Sequence, residues 1–205
     1  MSTTTSALAQ AANLPYRVAE TNSIYAGGKA GVSNTLVAGL WGARLMWQLA
    51  AHNAADVNFH GGGNGAYTPI VLVNGQFVAR PLYYGMLLLK AGSQGRYEPV
   101  DLSATALNVQ AFASLGADGS QTVTVFNFES ATPVSLTVAA GQAVSAVAMQ
   151  RLTGAGLDAT NGIILVGQAV TADGTFRPAS TSYGTSGSSF VVNVPAASVV
   201  VFTCK

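Results

Sequence analysis

Two short apolar runs in the first half of the chain each end in a titratable side chain and open into a glycine-rich loop. Residues 16–20, YRVAE, end in Glu20 and pass into TNSIYAGGKAGV. Residues 56–60, DVNFH, end in His60 and pass into GGGNGAY. A carboxylate at the end of a strand, at the mouth of such a loop, can attack an anomeric carbon. It can equally cap the next helix or pair with an arginine, and position alone leaves those readings open.

The elements that would hold these residues can be read from periodicity and turn chemistry. Residues 6–12 are alanine-rich and read as the end of a helix that Pro15 stops. After the strand at 16–20, Ser33 is a suitable N-cap, and Leu36, Leu40, Trp41, Leu45 and Leu49 recur at helical spacing. Gly39 and Gly42 weaken that helix but permit close packing, here expected against a sheet. A strand at 56–60 follows, and then runs 71–73 and 76–78 flank Asn74-Gly75, a hairpin signal. Pro81 opens a helix over 82–90, since proline suits the first helical turn.

Beyond Gly92 the pattern changes to short β-type runs near 97–103, 106–115, 121–128, 134–138, 144–152, 163–170, 189–194 and 198–203. Turn-forming stretches separate them, the longest being the Ser/Gly-rich 180–189. About eight strands over this length fit a β-sandwich. The order predicts an α/β piece joined to an all-β domain, divided as residues 1–92 and 93–205. In a (β/α)8 barrel the C-terminal strand ends face the active site, which is where Glu20 and His60 would stand.

Composition narrows the function classes. Charged residues make up only 8% of the 205, hydrophobic residues 49%, and the net charge is +1, so the chain carries no electrostatic footprint for nucleic acid. The longest apolar stretch, 36–51, is broken by Arg44 and Gln48, so no membrane span is expected. The first fifteen residues lack a basic start and a long apolar core, so no signal peptide is read there, and the compartment of this chain stays open. Cys204 is the sole cysteine, which excludes an intrachain disulfide. His52, His60 and Cys204 match no metal-ligand spacing, and no glycine-rich loop has a phosphate-binding pattern, so neither a metal nor another cofactor is expected.

Three blocks carry a resemblance: YRVAETNSIYAGGKAGVSNTLVAGLWGARLMWQLA, then VNFHGGGNGAYTPI, then VARPLYYGMLLLKAG. In order, spacing and residue types they resemble glycoside hydrolase family 79, the β-glucuronidase and heparanase family, and the β region resembles its C-terminal domain. The resemblance implies barrel strands seven and eight with their helices, followed by a β-sandwich. It implies that Glu20 is the nucleophile of a retaining mechanism, and that Tyr25, Gly27, Gly28 and Tyr67 receive the carboxylate of a uronic acid. Phenols and open backbone N–H groups suit a planar anion, and glycine lets the backbone approach it closely. His60, Asn22 and Asn64 could reach sugar hydroxyls, and Lys29 is either a uronate partner or a solvated lysine. Where the family commonly carries Asp, this chain has Asn34, which bears on a loop contact. The substrate implied is a glucuronide or uronate-containing glycan, handled outside the cytoplasm in many members.

A retaining mechanism needs two carboxyl groups about 5–5.5 Å apart. The family's acid/base lies in an Asn-Glu pair, and no such pair occurs here. Glu98 and Glu129 fall in the β region, and Asp56 begins its strand at the end opposite Glu20. A whole barrel needs about 200–250 residues, and 92 precede the β region. The chain is therefore expected to be the C-terminal portion of a retaining β-glucuronidase-like enzyme, inactive alone, with the missing barrel segment as a partner and the face of Leu36, Leu40 and Trp41 partly uncovered. The alternatives are a non-catalytic β-sandwich or carbohydrate-binding module, for which Phe126, Phe128, Phe176 and Tyr183 are aromatic candidates, and one subunit of a split glycosidase. Phe126 and Phe128 share a strand face and read better as core.

Overall fold

The computed structural model describes residues 3–63, 65–183 and 187–205, so Asn64 lies outside the described residues. The first half alternates strand and helix: α1 (Thr3–Ala11), β1 (Tyr16–Thr21), α2 (Leu36–Ala51), β2 (Ala54–Phe59), β3 (Ile70–Val73), β4 (Gln76–Ala79) and α3 (Pro81–Gly92). Only strands follow: β5 (Arg96–Glu98), β6 (Val109–Leu115), β7 (Gln121–Asn127), β8 (Val134–Val144), β9 (Val147–Thr153), β10 (Ile164–Leu165), β11 (Thr181–Tyr183), β12 (Gly187–Val194) and β13 (Ser198–Cys204). No helix among the described residues is long and apolar enough to cross a membrane.

β1 and β2 form a parallel pair, with Thr21 opposite Phe59, so their C-terminal ends lie side by side. β3 and β4 form the expected hairpin, closed by Asn74 and Gly75 at φ 48° and 78°. The β strands build a seven-stranded sheet ordered β10-β9-β13-β7-β6-β5, with β11 also on β9, and a separate two-stranded ribbon, β12-β8.

The large sheet has a core on each face. On one, Leu36, Leu40 and Trp47 of α2 and Leu88 of α3 pack with Phe126, Leu152 and Val201. On the other, Phe190, Val192 and Val194 of β12 pack with Val125, Val200 and Phe202. Leu36 and Leu40 are both fully buried, so the expectation that this face lacks cover is corrected. The β-sheet supplies the cover, and Trp41, partly buried, packs edge-on against Phe59 at 6.2 Å. Full burial of a leucine stabilises by about 1.5–3 kcal/mol, so this junction is a strong tie between helices and sheet.

Gly39 and Gly42 do allow close packing, but against a helix. A Cβ at Gly39 would fall 2.4 Å from the Pro81 carbonyl oxygen, and one at Gly85 would fall 2.4 Å from the Gly39 oxygen. α2 and α3 thus cross with their backbones nearly touching.

The start of α2 also differs from expectation. Thr35 is its N-cap, not Ser33. The Ser33 hydroxyl instead accepts the Lys29 N–H at 3.0 Å and closes the preceding loop. The first two helical N–H groups, of Leu36 and Val37, donate to the carbonyls of Ala159 and Leu157 at 2.8 and 2.9 Å. Those orphan donors, usually met by side chains or water, are met here by a loop of the β region.

Two further expectations change. The apolar run at 163–170 is a strand only at Ile164–Leu165, because Val166 turns to φ 53° and Leu165 bridges to Gln168. The run at 97–103 keeps only Arg96–Glu98. Conversely, the Ser/Gly-rich stretch at 180–189 contains β11 and the start of β12.

Candidate active site

The C-terminal ends of β1 and β2 bring Glu20 and His60 into contact. His60 Nδ1 lies 2.7 Å from Glu20 Oε1. Neither is buried: the Glu20 side chain is 68% exposed and that of His60 47%. The contact is therefore a hydrogen bond at an open cleft, worth little as an ion pair in water, yet able to fix the carboxylate's direction.

His60 is held by its backbone. Its N–H donates to the Thr21 carbonyl at 3.1 Å. Its carbonyl accepts the Asn22 side-chain amide at 3.0 Å, and the Asn22 oxygen in turn accepts the Ser23 N–H at 2.9 Å. The ring stands edge-on to Tyr67 with centroids 5.5 Å apart. Asn22 thus acts on His60, with its polar atoms bound to the chain.

Glu20, Asn22, Tyr25, His60 and Tyr67 line one cleft of about 500 Å³, together with Thr21, Ile24 and Ala26. Tyr67 is 8% exposed and Tyr25 95%, so one phenol is fixed in the wall and the other projects freely at the rim. Gly27, Gly28 and Lys29 are not among the lining residues.

The two glycines stand behind the cleft wall, where the loops meet. The Gly27 carbonyl accepts the Tyr67 N–H at 3.4 Å. A Cβ at Gly28 would lie 2.8 Å from the Ser33 side chain and 3.0 Å from the Tyr67 nitrogen. Gly27 and Gly28 also adopt φ of 90° and 81°, a region that side chains disfavour. Their small size brings the loop after β1 against the loop after β2, and so sets where Tyr67 stands.

Arg80 was not anticipated. Its guanidinium donates to the Gly65 carbonyl and to the Thr68 hydroxyl, and its N–H donates to the Pro69 carbonyl at 2.8 Å. Partial burial pushes its pKa down from the usual arginine value. It ties the loop carrying Tyr67 to the start of α3. The signal was an arginine inside the apolar run VARPLYY, where a long cation has to find partners.

Among the described residues, Glu20 is the sole carboxylate lining the cleft. Asp56 pairs with Arg17 at 3.1 Å, and Glu98 with Arg96 at 2.9 Å. Glu129 accepts the Asn108 N–H at 2.7 Å. The aromatic candidates for a second sugar surface do not form an exposed row. Phe126 is fully buried and stacks on Phe128, Phe176 packs against the helix-side core, and Tyr183 donates its hydroxyl to the Val191 carbonyl at 2.7 Å. Among the described residues no cluster of three or more His, Cys, Asp or Glu could hold a metal.

No protein-family model matches this sequence, and no curated protein matches it. Solved structures do. A 4-O-α-L-rhamnosyl-β-D-glucuronidase from Fusarium oxysporum 12S, solved as its Rha-GlcA complex, is 25% identical with a TM-score of 0.81, over 96% of this chain and 45% of that one. A GH51 arabinofuranosidase from Xanthomonas axonopodis pv. citri is 17% identical with a TM-score of 0.70, over 96% and 42%. A GH30 endoxylanase from Clostridium papyrosolvens C71 is 15% identical with a TM-score of 0.65, over 97% and 44%. The last two show likeness of fold alone. The chain spans less than half the length of each, and its structural neighbours are glycoside hydrolases.

Proposed function

We propose that this chain is the C-terminal portion of a retaining glycoside hydrolase of the β-glucuronidase type, similar to family 79, with residues 1–92 forming the last two barrel units and 93–205 the β domain. The observation that carries the proposal is the cleft in which Glu20, oriented by His60 at 2.7 Å, faces the phenols of Tyr25 and Tyr67. Glu20 attacks the anomeric carbon and forms a glycosyl ester as the glycosidic bond breaks. Tyr67, fixed in the wall, and Tyr25, at the rim, donate to the uronate carboxylate. Gly27 and Gly28 act by positioning Tyr67. The rhamnosyl-glucuronidase neighbour, solved with a glucuronide-containing disaccharide, supports a uronate in this cleft.

The leaving oxygen needs a proton, and among the described residues no second carboxyl lines the cleft. The acid is supplied by polypeptide outside this chain, whether upstream or on another subunit. The chain alone therefore does not turn over ordinary glucuronides.

A 2-fluoro-β-D-glucuronyl fluoride separates the two roles, because fluoride leaves without a proton and the fluorine at C2 slows breakdown of the ester. Mass spectrometry should find one glycosyl unit on the peptide containing Glu20, and none in Glu20→Gln. A label on any other residue counts against Glu20 as nucleophile. Steady hydrolysis of an aryl glucuronide by the purified chain, lost in Glu20→Gln, would show that the chain carries its own acid.

A further inference from the structure

The loop that follows β1 crosses an unsupported stretch just before its two glycines. Upstream of it, the Asn22 side chain is tied to the His60 carbonyl and to the Ser23 N–H. Downstream, the Gly27 carbonyl accepts the Tyr67 N–H. Between these anchors, the backbone of Ile24, Tyr25 and Ala26 makes no hydrogen bond to any described residue. This stretch can therefore change shape without breaking one.

Ala26 is strained within it. Its φ is 58°, and Gly27 and Gly28 continue at 90° and 81°. The glycines take that backbone freely, whereas in alanine it forces Cβ toward the following carbonyl oxygen. The other left-handed residues that carry a side chain have a reason to be so. Asn13, Asn53 and Asn74 are of a type that tolerates the region. Val166, at φ 53°, packs against the helix-side core, and Ala197, at φ 49°, is buried. Ala26 is exposed at the cleft, so packing does not repay its strain. Uncompensated strain of this kind belongs to functional sites. Tyr25 beside it is displayed but not seated: its ring is 95% exposed at the cleft rim, and its hydroxyl bonds to no described residue.

We infer that Ala26 is a positioning residue that stores strain while the cleft is empty and releases it when Tyr25 closes on an acidic sugar. With Ala26 left-handed, the Tyr25 ring is held out at the rim. A carboxylate in the cleft offers the phenol an acceptor, the ring turns inward, and Ala26 relaxes to ordinary backbone. The inference rests on the uronate reading of the cleft and adds how the cleft closes. Strain raises the open state, so its release adds to the affinity of whatever closes the loop. For a left-handed alanine that gain is about five- to thirty-fold. A neutral sugar lacks the acceptor, leaves Tyr25 out and gains nothing. Ala26 thus sharpens the choice of a uronate over its neutral analogue.

The probes are methyl β-D-glucuronide and methyl β-D-glucoside, titrated by NMR into the chain. A soluble gadolinium chelate reports how exposed the Tyr25 ring is at each point. The glucuronide should bind more tightly, and it alone should shield Tyr25 from the chelate. Ala26→Gly removes the strain. It should raise the melting temperature by about 2 °C while weakening the glucuronide about five-fold and leaving the glucoside unchanged. These opposite signs separate stored strain from a merely structural role, which would lower both together. Ala30→Gly is the control, since Ala30 is exposed in the same loop and is not left-handed. It should not raise the melting temperature and should leave both affinities as they are. Full glucuronide affinity in Ala26→Gly, or a fall in its melting temperature together with affinity, would overturn the inference. So would a Tyr25 ring equally exposed with and without glucuronide. A parent chain with no preference for the glucuronide refutes the uronate reading itself, whereas preference with Tyr25 unmoved refutes only the role of Ala26.

Discussion

Gly28 and Gly62 form a matched pair for testing how the cleft is built. Both adopt φ of 81°. Replacing either by alanine puts a side chain into left-handed backbone at a cost of about 1–2 kcal/mol. The surroundings differ. At Gly62 a Cβ meets nothing within 4 Å, whereas at Gly28 it falls 2.8 Å from both Cβ and Oγ of Ser33 and 3.0 Å from the Tyr67 nitrogen. The Tyr67 nitrogen belongs to backbone, so the loop itself has to shift, and overpacking of this kind costs about 1–3 kcal/mol. Gly28→Ala should therefore be about 2–5 kcal/mol less stable than the parent, and Gly62→Ala only about 1–2. At roughly 2–4 °C per kcal/mol for a chain of this size, the gap between the variants is several degrees by calorimetry. Amide NMR adds the local readout, with Tyr67 and Ser33 shifting in Gly28→Ala and staying in Gly62→Ala. Two variants of equal stability, with Tyr67 unmoved in both, would refute the idea that Gly28 sets the position of the phenol.

Further outcomes follow from buried groups. Asn127 is fully buried; its amide donates to the carbonyls of Thr132, Val194 and Pro195, and its oxygen accepts the Glu129 N–H. Asn127→Leu strands those groups, each worth about 1–3 kcal/mol, and should lower the urea midpoint while leaving the slope unchanged. Trp47, 1% exposed, stacks on Phe112 at 5.6 Å, so Trp47→Ala should cost about 3–5 kcal/mol by the same measurement. Burial pushes the Cys204 thiol up from 9.0 to about 11. Its neutral form is favoured in the folded state, so this contribution to stability is complete below pH 9.0 and is lost as pH rises toward 11. Cys204→Ala should flatten that alkaline decline, and a disulfide reagent at pH 8 should react with Cys204 only as fast as the chain opens.

The site was legible because its parts lie on short, strongly patterned elements. Two apolar runs ending in Glu20 and His60 are neighbours in a parallel pair, so residues forty apart in sequence meet at 2.7 Å. Asn74-Gly75 and Pro81 marked their turn and helix start, since each depends on one residue's backbone preference. The misplaced features depend on partners that local sequence does not name. Ser33 and Thr35 are both good caps, and the loop's need to satisfy the Lys29 N–H decided between them. Gly39 and Gly42 announce a close approach but not whether a sheet or a helix makes it. The run at 163–170 is apolar enough for a strand, but the turn at Val166 ends it. β11 is short and lies in Ser/Gly-rich sequence, and its pairing with β9 supplies what its composition withholds.

The placement of Tyr25 is coupled to the β region through one helix terminus. The loop that follows β1 carries Tyr25, Gly27 and Gly28, and it ends at Thr35, where α2 begins. The first N–H groups of α2 are held by the carbonyls of Leu157 and Ala159. Just inside the helix, Leu36 is fully buried, and a Cβ at Gly154 would lie 3.3 Å from it. The loop is thus anchored at one end by a parallel strand pair and at the other by a turn of the β region. Freeing that turn would leave two helical donors unmet and release the loop's far end, while the Glu20–His60 contact, fixed by strand pairing, would persist. The β region therefore governs the position of Tyr25 more than that of Glu20. A lesion at 156–160 should accordingly weaken the proposed uronate binding before it weakens labelling of Glu20.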